Sequence, residues 1–185
     1  KRVRAGRTVT VLQGQRRTGR KGPRDKKENG TTQAQKEGNL RRATRMLGWL
    51  MAENFRDGDL LVTLDYRKEG RPEGSDRMQK DFKNFYDRLK RRLKKLGLPP
   101  SKYIRVLEIG KKGARHHHIV MQETDLKLLR ECWTEGGIHV EPLYTDGNYR
   151  KIAEYFVKYA GKTMETEGRE TKKLWYPSRG LKKPR

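Results

Sequence analysis

Cysteine is nearly absent, since Cys132 is the single one in 185 residues. One thiol cannot close an internal disulfide, nor can it build a multi-cysteine zinc ribbon. Long apolar runs are missing as well. No window approaches the roughly 20 consecutive apolar residues of a membrane span, and no short apolar core follows a basic start as in a secretory signal. A soluble, intracellular protein is expected. Hydrophobic residues reach only 32%, below the about 45–50% usual for globular chains, so part of the chain is expected to stay unpacked. Acidic residues are scarce beside basic ones: 46 Lys and Arg against 23 Asp and Glu leave a formal charge of +23. A surplus this large suits a protein that sits on a polyanion, because each phosphate contact releases condensed counterions. Nucleic acid is the leading partner, with acidic protein or lipid surfaces as the alternative. The chain opens on Lys1 rather than Met, as an excised piece of a longer protein would.

Charge and periodicity divide the chain into three parts. Residues 1–38 carry twelve Lys and Arg against three Asp and Glu, and read as a basic arm with at most one strand near Thr8 to Leu12. Disorder is expected around 14–37. From 39 the pattern turns helical: Leu40, Ala43, Leu47, Leu50 and Met51 recur at three and four residues up to about Asn54. Residues 60–66 form a β-rich run, and Gly70-Arg71-Pro72-Glu73-Gly74 breaks the chain before a long amphipathic helix over 75–96. Ser75 or Asp76 is expected to cap that helix. Two β-like runs follow, 102–109 and 114–122. A short helix over 125–133, a strand over 138–143 and a helix over 149–162 complete residues 39–163, which read as one domain. Residues 164–185 are a basic C-terminal segment. The order predicts an α+β fold in which a central antiparallel sheet of about five strands carries helices packed on one face. The other face is expected to hold a site. The arm and the cationic face of the 75–96 helix are expected to track a nucleic-acid backbone.

The chemistry concentrates first in Glu108-Ile109-Gly110-Lys111-Lys112-Gly113-Ala114-Arg115-His116-His117-His118. A three-residue hairpin loop ends in a left-handed residue, and Gly113 supplies it. Paired residue numbers then sum to 224, which sets Glu108 opposite His116. Strand alternation puts His118 on the same face and His117 on the other. One carboxylate and two imidazoles therefore meet from adjacent strands as a three-ligand open site. A mixed set with open positions suits a divalent metal, Mg²⁺ or Mn²⁺, that also holds a phosphate oxygen. A polar surface turn with an adventitious metal affinity is the plainer alternative. His139 has no partner spacing and reads as structural or exposed.

The second concentration is Tyr155-Phe156-Val157-Lys158-Tyr159-Ala160-Gly161-Lys162. Two tyrosines four apart share a helix face, and each precedes a lysine by three residues. Tyr149, Ile152, Ala153, Phe156 and Ala160 make the packing stripe. A phenol with a pKa near 10 is a poor nucleophile at neutral pH unless a cation stabilises the phenolate. Taken alone, this spacing is also what a basic helix rimmed by tyrosines would show.

In combination these blocks resemble the HUH endonuclease superfamily, in particular rolling-circle replication initiators of bacterial plasmids, phages and integrative elements. LLVTLDY (60–66) is similar to the family's first apolar strand. RHHHIV (115–120) is similar to its histidine strand, and YFVKYAGK (155–162) resembles the doubled tyrosine motif of phage-type initiators. A weaker likeness links SRGLKKP (178–184) to the region after the nuclease motif. The resemblance implies an RRM-like or ferredoxin-like fold, with His116, His118 and Glu108 as metal ligands. It implies Tyr155 or Tyr159 as nucleophile, assisted by Lys158 and Lys162. The implied reaction is site-specific nicking and rejoining of single-stranded DNA through a 5′-phosphotyrosine, which initiates rolling-circle replication. Single-stranded or hairpin DNA at a replication origin, a host helicase and a host polymerase are the implied partners, in the cytoplasm of a bacterial cell. Two departures stand out: His117 occupies the usually apolar position between the histidines, and Asp65 replaces a more usual Thr and adds an acidic group near the site. A relaxase or a transposase of the same superfamily is the alternative function within the resemblance. A non-catalytic RRM-like nucleic-acid binder is the alternative from another class, although the usual exposed aromatic pairs on central strands are not evident.

Overall fold

A computed structural model of the chain describes residues 2–13, 32–110, 113–166 and 173–185. Among these residues, β1 (Arg2–Ala5) and β2 (Thr8–Val11) form a hairpin, followed by α1 (Gln33–Asn54), β3 (Leu60–Asp65) and α2 (Ser75–Lys95). Then come β4 (Tyr103–Ile109), β5 (Arg115–Met121), α3 (Leu126–Cys132), β6 (Ile138–Pro142), α4 (Arg150–Thr166) and β7 (Tyr176–Pro177). β3 to β7 make one antiparallel sheet in the order β6-β3-β5-β4-β7. The α+β class and the five-stranded antiparallel sheet match the expectation.

The helices divide between two faces rather than collecting on one. Leu60, Val62, Leu64, Leu107, Ile119 and Met121 pack with Phe82, Phe85 and Leu89 of α2 and Leu129 of α3. On the other face, Ile104, Val106 and Val120 pack with Leu47 and Met51 of α1 and Phe156 of α4. β5 is buried on both faces from His117 to Met121, as a central strand covered from each side must be. Fully buried side chains such as Phe85, Phe156, Leu47 and Met78 each contribute about 1.5–3 kcal/mol of hydrophobic stabilisation. The sheet face that carries the site is open only where α1 and α4 leave it uncovered.

Several boundaries differ from the reading of the sequence, α4 among them, since it runs on to Thr166 instead of ending near 162. α1 begins at Gln33, inside the stretch expected to be disordered, because Thr32 and Gln35 close a reciprocal capping box; residues 14–31 lie outside the described part. The N-terminal arm contains a strand pair, with Val3 and Ala5 buried. Gly74, not Ser75 or Asp76, takes the cap position of α2 and makes no side-chain cap, while Asp76 in the first turn faces the helix dipole favourably. Asp125 does cap α3, its Oδ1 accepting from Leu128 N at 2.9 Å. In the C-terminal segment, β7 pairs with β4 and places Tyr176 beside Arg105.

Candidate active site

The β4–β5 hairpin has the expected register. Gly113 lies in the left-handed region at φ 73°, Gly110 N donates to Ala114 O at 2.7 Å, and Glu108 is the cross-strand partner of His116. Lys111 and Lys112 lie outside the described residues. Alternation sends His116 and His118 to the α1/α4 face, their ring centres 6.1 Å apart and nearly parallel at 23°. His117 points the other way and is fully buried.

Side-chain contacts do not follow Cα pairing. Glu108 reaches diagonally to His118, with 2.5 Å between Oε2 and Nε2. The place across from His116 is taken by Asp65, which β3 sets beside it from the opposite neighbouring strand; its Oδ1 lies 2.5 Å from His116 Nδ1. An ionised carboxylate only accepts, so the imidazole nitrogen donates in each pair. The other nitrogen of His118, Nδ1, meets Thr63 Oγ1 at 3.2 Å. Asp65 is itself braced: Trp133 Nε1 donates to its carbonyl at 2.9 Å, and Gly136 packs so closely that a Cβ there would overlap that carbonyl.

The donor set is thus two imidazoles and two carboxylates on one face. Among the described residues, no three His, Cys, Asp or Glu side chains are arranged to hold a metal ion. The four groups are tied instead as two hydrogen-bonded pairs, each joined by a proton. Their chemistry suits a hard or borderline divalent cation, which binds only when such protons leave. The residues fit by donor type, and Glu108 or Asp65 has to turn toward a common point.

His117 is held apart from this set. Arg105 Nη1 donates to its Nδ1 at 3.0 Å, so Nε2 carries the proton and meets Tyr66 Oη at 3.0 Å. Burial, reinforced by the Arg105 charge, holds its pKa well below that of an ordinary histidine. It is a neutral core residue, packed beside Phe82 and Trp133.

α4 brings both tyrosines to His118. The Tyr155 and Tyr159 rings lie 5.2 and 5.6 Å from the His118 ring, centre to centre, and 4.5 Å from each other. Tyr155 is 39% exposed, enough for a phosphodiester to reach it. Burial pushes its phenol up to about 12, with Tyr159 and Glu108 adding to the rise. Lys162 Nζ lies 5.5 Å from the centre of the Tyr159 ring, whereas Lys158 lines a groove on the far flank of α4. His139 is exposed on the edge strand β6 and bonds Glu141 at 2.9 Å.

Sequence reading did not identify Thr63 or Phe156 as neighbours of the histidines, nor Arg105 and Tyr66 as the residues that secure His117. The signal for Thr63 was its place two residues before Asp65, on the same strand face.

A family model for replication-associated protein ORF2 matches residues 59–164. The match runs from the start of β3 through most of α4 and takes in Asp65, Glu108, all three hairpin histidines and both tyrosines. Comparison with curated proteins and with solved structures returned no match.

Proposed function

From the premise that this chain belongs to the replication-associated protein ORF2 family, we propose that it nicks and rejoins single-stranded DNA to initiate rolling-circle replication, as an HUH endonuclease. The observation that carries the reading is the meeting of His118 with Tyr155 and Tyr159 on the face that also holds Glu108, His116 and Asp65. A tyrosine with no acid–imidazole set beside it would be a surface phenol.

In this reading a phenolic Oη of Tyr155 or Tyr159 attacks the phosphorus of a phosphodiester. The new Oη–P bond forms as the P–O3′ bond breaks, leaving a 5′-phosphotyrosine and a strand with a free 3′-OH. The phenol proton passes to solvent, and the departing O3′ takes one up. Rejoining reverses the step and regenerates the phenol. The raised pKa of Tyr155 means that the resting phenol is almost wholly neutral at pH 7, so nucleophilicity depends on positive charge arriving with the substrate complex. A Mg²⁺ or Mn²⁺ ion held by His116, His118 and Glu108 would supply that charge and draw electron density from the phosphate. Asp65 orients the His116 ring and Thr63 orients His118. Lys162, beside Tyr159, adds fixed positive charge on the same flank. The DNA is taken to be single-stranded or hairpin DNA at an origin, with a host helicase and polymerase extending the 3′-OH.

Incubation with labelled single-stranded origin DNA and Mn²⁺ tests this. The reading expects a covalent protein–DNA band that EDTA abolishes. A salt-sensitive shift with no covalent band would leave a binding protein only.

A further inference from the structure

Beside the tyrosine helix lies a second concavity. A groove of about 770 Å³ runs between the β1–β2 hairpin, α1 and α4, within the about 300–1,000 Å³ of ordinary ligand sites. It occupies the flank of α4 away from His118. Tyr155 and Tyr159 turn to the sheet, while Glu154, Val157, Lys158 and Gly161 line the groove. The wall formed by the hairpin is fixed by specific bonds: Trp49 Nε1 donates to Thr10 Oγ1 at 3.0 Å, and Thr8 Oγ1 donates to Gly147 O at 3.1 Å. The hairpin turns at Gly6, φ 55°, where a Cβ would overlap the Ala52 carbonyl of α1, and Gly6 N donates to Glu53 at 2.8 Å.

The lining is cationic and aromatic. Arg41, Arg45, Arg150, Lys158 and Lys162 line it against one carboxylate, Glu154, and that carboxylate is held by Arg150 at 2.9 Å. The Arg45 guanidinium lies 5.6 Å from the centre of the Trp49 ring, an aromatic and planar-cation pair of the kind on which nucleobases stack. Tyr149, almost fully buried in the same wall, has a hydroxyl with no hydrogen-bond partner of normal geometry. Thr145 approaches it and partly offsets the rise in pKa that burial causes. Excess positive charge and a stacking surface are what a short piece of single-stranded nucleic acid would use.

We propose that this groove binds one or two nucleotides of single-stranded DNA, with a base against Trp49 and phosphates on Arg41, Arg45 and Lys158. The proposal builds on the single-strand nickase reading and adds where the strand beyond the reacting phosphate is held. Lys162 joins the two places, lying against Tyr159 and also lining the groove. A strand that leaves the tyrosines around α4 therefore meets continuous positive charge.

The test compares two charge-matched variants by fluorescence anisotropy with labelled oligothymidine across a salt series. Arg41→Glu/Arg45→Glu alters the groove at two exposed side chains, and Lys127→Glu/Arg130→Glu alters exposed residues of α3 on the opposite face of the sheet. The groove variant is expected to lose about tenfold or more in affinity, and its log–log salt slope is expected to flatten by about 1.4, at ~0.7 for each of two lost contacts. The α3 variant is expected to lose less than about threefold. Equal losses in both variants, or parental affinity and slope in the groove variant, would overturn the proposal. Covalent adduct formation, measured separately at saturating oligonucleotide, keeps the two readings apart. Groove-dependent binding by a parent protein that forms no adduct would uphold the groove and reject the nickase alone.

Discussion

Phe156→Ala probes what seats the tyrosine helix. Phe156 is fully buried, packs in the cluster of α1, α4 and the sheet, and lies 6.5 Å from the His118 ring and 6.2 Å from the Tyr155 ring, centre to centre. Its neighbours along the helix stripe, Ala153 and Ala160, are small and buried, so neither can swing in to fill the space. Truncation of a buried Phe costs about 3–5 kcal/mol in transfer and cavity terms. At about 2–4 °C per kcal/mol for a chain of this size, the midpoint should fall by about 6–20 °C. Phe156→Leu keeps most of the volume and should cost distinctly less. Urea unfolding gives the free energies, and adduct yield measured well below the midpoint gives the functional consequence. The alanine variant is expected to lose adduct out of proportion to its unfolded fraction, because α4 loses the contact that aims Tyr155 and Tyr159 at His118. A loss of stability below about 1 kcal/mol would mean that α4 is not anchored to the sheet through this side chain.

Other outcomes follow from the same geometry. Gly136→Ala forces a Cβ against the Asp65 carbonyl and should cost about 1–3 kcal/mol as overpacking, visible in urea unfolding; a neutral effect would mean that the loop does not brace Asp65. His117 stays neutral in the fold while the unfolded chain takes up a proton near pH 6.5. Its contribution is therefore full above that pH and is lost as pH falls, by about 1.4 kcal/mol per unit. As pH falls below about 6.5 the protein should lose stability relative to His117→Gln; parallel stability curves would contradict the buried neutral ring. The Tyr155 phenol should titrate near 12 by ring NMR, and Glu108→Gln should lower that value, since the carboxylate charge is one cause of the rise. An unmoved titration would place Glu108 away from the phenol.

The hairpin was legible because its cause is local. Gly113 fixes the turn, the turn fixes the register, and the register sorts the three histidines between faces. What depended on distant pairing was not legible. Asp65 meets His116 only because β3 lies beside β5, and Glu108 bonds His118 rather than the residue opposite it because side-chain rotamers, not Cα pairing, decide the last few ångströms. The two-sided covering of the sheet had a signal in the unbroken apolar runs Val106-Leu107 and Ile119-Val120-Met121, which are typical of strands buried on both faces. Of the N-terminal hairpin only β2 showed in the sequence, near Thr8 to Leu12; β1 and β7 are too short to show a period, and their place comes from pairing with β2 and β4.

Anomalous scattering from a crystal of the protein soaked in Mn²⁺ locates the cation directly. The three-ligand site requires one peak within bonding distance of His116, His118 and Glu108, with the hydrogen bond between His118 and Glu108 replaced by metal contacts and a tyrosine of α4 facing the ion. Rings still paired to Glu108 and Asp65, with manganese bound elsewhere or not at all, would contradict it.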